Sequence, residues 1–100
     1  VQALEAGQID IALLFSTSGV IADRGFVLLE DDKGMLAADN VVPVLTAELE
    51  EAYGSSIVDV LNSISSKLTT ADLTAMNKRF DIDNEDAEDI AADWLSDNGF

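Results

Sequence analysis

The chain is 100 residues long, 48% of them apolar, and carries five Lys and Arg against twenty Asp and Glu for a formal charge of −15. That length holds one small domain with one core, and the apolar content argues against global disorder. The charge repels phosphate backbones and anionic lipid headgroups, and the absence of Cys and His removes thiol nucleophiles, thiolate metal sites and His general bases.

In chain order, Val1–Gly7 reads as the end of a helix stopped by glycine. Because the chain opens on Val1 within a helical pattern, a piece of a longer protein, or a mature product whose start has been removed, is the expectation. Ile9, Ile11, Leu13 and Phe15 alternate with their neighbours and then run into Ser16, Thr17, Ser18 and Gly19, which predicts a strand buried on both faces from Ala12 onward. A short turn from Ala22 to Gly25 precedes a second predicted strand, Phe26–Leu29, and Glu30–Gly34 forms a polar turn. A third apolar run, Val41–Leu45, contains Pro43, which places it at an edge or a bend.

From Thr46 the period becomes helical. Thr46 caps a short acidic helix ending at Gly54, with Tyr53 as a half-buried packing residue at that end. Ser56 with Asp59 has the spacing of a capping box, and Ile57, Val60, Leu61, Ile64 and Leu68 follow at helical intervals. Thr69 with Asp72 repeats the signal ahead of Leu73, Met76 and Phe80, and the last helix carries Ala87, Ile90, Ala91, Trp94 and Leu95 with Gly99 as its stop. Strands in the first half and helices in the second make an α/β chain. Its expected core is Ile11, Leu13, Val27, Leu29, Val44, Leu61, Ile64, Leu73 and Trp94.

The acid-rich stretch Asp81–Asp89 does not fit a calcium-binding EF-hand loop. Asp86 stands where such a loop needs glycine and Ala92 where it needs glutamate, so these carboxylates read as a solvated helix start. Acidic pairs carry no enzymatic signal in so acidic a chain, and neither catalysis, a cofactor nor a metal is called for. Two segments do point to binding. Phe15, Ser16 and Thr17 lie where a buried strand runs out, the place where open α/β sheets bind ligands, and Met35–Asn40 is a loop uncharged until Asp39.

The segments GQIDIALLFSTSG, FVLLEDDKG, NVVPVL and LNSISSKLTTADLTAMN, in that order, resemble the C-terminal region of the substrate-binding proteins of osmoprotectant ABC transporters. These bind glycine betaine, choline, carnitine and related compatible solutes. The resemblance covers about Ala3 to Phe100. It implies a fragment of a two-lobed, type II periplasmic-binding-protein fold. Residues 1–18 would end the second lobe and lead into the hinge, and residues 19–100 would form the C-terminal part of the first lobe. It also implies a location outside the cytoplasm, in the periplasm or lipid-anchored at the cell surface, and permease subunits as partners. Fusion of the lobe to a permease or a sensor would instead attach it to the membrane. An autonomous acidic interaction domain remains a third reading.

The family cages a quaternary ammonium group with aromatic rings, whose faces attract a cation that has no hydrogen to donate. Phe15 matches one ring position, and Thr17 falls in the hinge. Asp39, followed by Asn40, stands at another ring position. Asp39 would pair with the ammonium group, accept hydrogen bonds from a different polar ligand, or simply cap the turn before Val41. The fragment alone would leave apolar edges that favour self-association.

Overall fold

The computed structural model describes residues 1–37 and 39–100, and six helices account for all its regular structure. These are α1 (Gln2–Glu5), α2 (Gly19–Arg24), α3 (Ala47–Tyr53), α4 (Ser55–Lys67), α5 (Thr70–Asp81) and α6 (Ala87–Asp97).

The helical second half follows the sequence closely. Thr46 Oγ1 accepts the Leu49 amide at 3.3 Å and opens α3. Thr69 and Asp72 form the full capping box of α5: the Thr69 hydroxyl oxygen accepts the Asp72 amide at 3.1 Å, and the Asp72 carboxylate accepts the Thr69 amide at 2.9 Å. Asp86 caps α6 by accepting the Glu88 amide. The box expected at Ser56 and Asp59 does not form, because α4 begins earlier, at Ser55 behind Gly54, and the Ser56 hydroxyl donates back to the Tyr53 carbonyl. Tyr53 and Phe80, expected against the core, are exposed.

Two packings hold this half. Helix α5 lies against α6, and Arg79 bridges the pair by donating to Glu85 at 2.6 Å and Asp93 at 2.7 Å. Ile90, 3% exposed, is buried there. Lys67 at the end of α4 reaches the chain terminus, donating to the Asn98 carbonyl and standing 4.6 Å from the Phe100 ring, which stacks on Trp94.

In the first half the expected α/β arrangement is overturned. No strand occurs among the described residues, and the apolar runs at 9–15, 26–29 and 41–45 lie outside any ladder. Leu13 is 77% exposed and Val44 89%, and Ile11, Val27 and Leu29 are exposed with them. Of the expected core, Leu61, Ile64, Leu73 and Trp94 are half-buried and the five members from apolar runs are not buried at all. The cause is physical: a strand is stable only when a neighbour takes its backbone N–H and C=O groups and a layer covers its faces. Among the described residues these runs meet neither. The Cα radius of gyration, 17.0 Å, exceeds the roughly 13 Å of a compact chain of this length.

The same half contains one helix where a turn was expected. Ser18 stands at its N-cap, Gly19–Arg24 form α2, and Gly25 closes it in the left-handed conformation, φ 65°, which a side chain disfavours. Helix α2 packs on α5. Gly19 is buried at that crossing, where an added Cβ would fall 2.5 Å from the Lys78 Cα and backbone nitrogen, so only glycine lets the two backbones approach so closely.

Two carboxylates organise local backbone and are held below the usual carboxylate range as a result. Asp31 accepts the Leu36 amide at 2.7 Å and the Met35 amide at 3.0 Å, and these bonds favour its ionised form. Asp72 is lowered first by the Thr69 hydroxyl and then by the Thr69 amide. A carboxylate whose folded pKa lies below its unfolded value stabilises the fold above that unfolded value, near pH 4, and loses the contribution as pH falls through the folded pKa. The Leu36 and Thr69 amide resonances are therefore expected to hold steady above about pH 5 and to move on acidification below about pH 4. Amides that do not respond to that titration would refute both loops as drawn.

Candidate functional site

The four residues singled out from sequence fall into two pairs. Phe15 and Thr17 belong to a turn in which the Ser18 amide donates to the Phe15 carbonyl at 3.0 Å. The Phe15 ring is 78% exposed, whereas Thr17 is half-buried. The turn is docked on α5: the Asn77 side-chain amide donates to the Thr17 carbonyl at 2.7 Å, and the Thr74 hydroxyl lies 3.0 Å from the Ser16 carbonyl. An exposed aromatic face on an anchored backbone can stack on or cap an apolar cation.

Asp39 and Asn40 are exposed and lie in the irregular segment between the Asp31 loop and α3. Ala38, within the loop Met35–Asn40, lies outside the described residues. Among the described residues no hydrogen bond joins this pair to Phe15 or Thr17. An open apolar groove of about 500 Å³ is lined by Leu13, Leu14, Phe26, Leu28, Met35 and Leu36 among others but by none of the four. The four residues therefore do not form an enclosed cage in this structure.

Sequence reasoning missed the two residues of α5 that hold the turn. Thr74 and Asn77 read as ordinary polar positions of an amphipathic helix. The available signal was their spacing of three, which puts both on one face beside the apolar stripe. Helix α2 was missed as well, although Gly25 after it has stop chemistry.

The family model for the substrate binding domain of the ABC-type glycine betaine transport system matches residues 1–97. The chain belongs to this family. Glycine betaine transport domains of this type are binding components of transporters, and the relatives carry matching names. The chain is similar to the carnitine transport binding protein of Listeria monocytogenes (strain 10403S), with 26% identity over 98 residues covering 98% of this chain and 32% of that protein. It is also similar to the glycine-betaine-binding protein of Pseudomonas aeruginosa, with 28% identity over 93 residues covering 93% of this chain and 30% of that one. This glycine betaine transport family segment thus spans about a third of the length of the curated relatives it matches. No solved structure matches it. None of the helices described is long and apolar enough to cross a membrane.

Proposed function

We propose that the chain supplies one wall of the solute site in a binding protein that delivers a quaternary ammonium osmoprotectant, glycine betaine or carnitine, to the membrane subunits of an ABC importer. The family match along nearly the whole chain is the observation that carries this reading. The exposed Phe15 ring on its anchored turn gives it a physical basis. The protein works outside the cytoplasm, in the periplasm or lipid-anchored at the surface, and catalyses no reaction. Its function lies in the different affinities of open and closed states for the solute.

In this reading Thr17 lies in the hinge between two lobes, residues 1–18 ending one and leading into the hinge, and residues 19–100 forming the C-terminal part of the other. Phe15 stacks on the methylated ammonium group. Asp39 and Asn40 approach from the facing loop once the lobes close, with Asp39 supplying charge or accepting a hydrogen bond and Asn40 able both to donate and to accept. A carboxylate attracts the cation more strongly than a ring does, but it must give up water to do so. Its net contribution therefore depends on how far closure encloses it.

The test uses a protein of the relatives' length that carries this chain. Asp39→Asn and Asp39→Tyr are compared with wild type by calorimetry against glycine betaine, carnitine, choline and a neutral polyol. Asp39→Asn is expected to weaken the ammonium ligands by about tenfold, the scale of one partly enclosed charged contact. Affinities unchanged across the panel would make Asp39 a turn residue with no ligand role.

A further inference from the structure

Only a few side-chain hydrogen bonds among the described residues connect distant parts of this chain, and two of them converge on the turn that bears Phe15. Asn77 Nδ2 donates to the Thr17 carbonyl at 2.7 Å across 60 residues, and Thr74 Oγ1 reaches the Ser16 carbonyl at 3.0 Å across 58. Asn77 and Thr74 are three residues apart on α5, about 4.5 Å along the helix axis. Successive residues of the turn have Cα atoms about 3.8 Å apart, so the helix presents two donors at nearly the spacing of two neighbouring carbonyls.

The two donors are unequal. The Thr74 hydroxyl has one hydrogen and two carbonyls within reach, Ser16 at 3.0 Å and its own helix's Thr70 at 2.8 Å, so the turn receives at best a share of it. Asn77 has a part-buried amide hydrogen directed at Thr17 alone. Immediately beyond, Gly19 sits against the backbone of Asn77 and Lys78 with no room for a Cβ, which blocks a shift of the turn toward the helix. With the Phe15 carbonyl tied to the Ser18 amide, carbonyls 15, 16 and 17 are all engaged. The Phe15 ring, by contrast, meets little protein at 78% exposure, so its place is set by its backbone and not by packing.

We infer that Asn77, assisted by Thr74, is a positioning residue for the solute site: by holding the Thr17 carbonyl, α5 fixes the turn from which the Phe15 ring stands. This rests on the proposed function, in which Phe15 touches the ligand. Asn77 itself touches no ligand and acts only through the turn.

A double-mutant cycle tests it. Glycine betaine and carnitine are titrated calorimetrically into a protein of the relatives' length carrying this chain, as wild type, Phe15→Ala, Asn77→Ala and the double variant. Asn77→Ala is expected to weaken binding about tenfold in the wild-type background and less than about twofold when Phe15 is already Ala, a coupling within the range of residues that act together. An equal loss in both backgrounds, or no loss while Phe15→Ala weakens binding, overturns the positioning role and leaves the proposed function standing. Unchanged affinity in Phe15→Ala removes the wall itself and the inference with it. If Asn77→Ala does not fold, Thr74→Val keeps the side-chain shape, removes the weaker donor and runs through the same cycle, with an expected loss of about threefold that again vanishes in the Phe15→Ala background.

Discussion

Alone in solution, the 100-residue chain is expected to sediment as a dimer or larger species and not as a monomer of 10.7 kDa. The reason is surface. The chain exposes 7791 Å², against roughly 5,500 Å² for a compact folded protein of its mass, an excess of about 2,300 Å². A standard interface needs only about 800 Å² per partner. Its exposed apolar residues include Ile11, Leu13, Val27, Leu29, Val41 and Val44, which no described element covers.

Charge opposes association, but unevenly. Residues 1–45 carry seven acids against two bases, while residues 46–100 carry thirteen against three, so two thirds of the net charge lies in the helical half. Salt shortens the reach of that repulsion to about 10 Å at 0.1 M. Association is therefore expected to strengthen as salt is raised. A single species of monomer mass at every concentration and salt level would show that the apolar runs are covered within one chain.

The second large effect is a loss. The isolated chain is expected to bind glycine betaine more weakly than millimolar. A dissociation constant of 1 mM corresponds to about −4.1 kcal/mol, whereas one aromatic face contributes roughly 0.5–2 kcal/mol to holding a cation. In the proposed reading Phe15 is the one aromatic face the chain offers, and no hydrogen bond joins Asp39 to it among the described residues. Enclosure from a second side supplies the difference, both by adding contacts and by excluding water from around the charge. Calorimetry on the isolated chain checks this directly, and sub-millimolar binding by a monomer would mean that these 100 residues build a complete site.

The helical half was legible because its signals are local. Thr69 and Asp72, Thr46, and Asp86 are each satisfied within three residues of chain, and the helices they open appear where the pattern places them. The first half was not legible in the same way. The alternation from Ile9 to Phe15 marks residues that avoid water, but pairing is non-local, and no strand among the described residues takes those backbone groups. Helix α2 was hidden for the opposite reason: its polar cap, Ser16–Ser18, doubles as the end of an apolar run, and its six residues are too few to show a period. At the site, Phe15 and Thr17 could be picked out as the polar end of an apolar segment, whereas Asn77 could not. Its role depends on a contact 60 residues away that helical spacing does not reveal.

In the proposed reading this chain forms part of a site for a quaternary ammonium solute, with Phe15 as a wall. The most direct measurement is a calorimetric titration of a protein of the relatives' length carrying this chain with glycine betaine, carnitine and a neutral polyol, in wild type and Phe15→Ala. Saturable binding of at least one ammonium solute, none of the polyol, and a loss of roughly threefold to thirtyfold on removing the ring is the predicted result, as expected for one cation–π face. Binding of neither ammonium solute, or ammonium binding indifferent to Phe15→Ala, would contradict it.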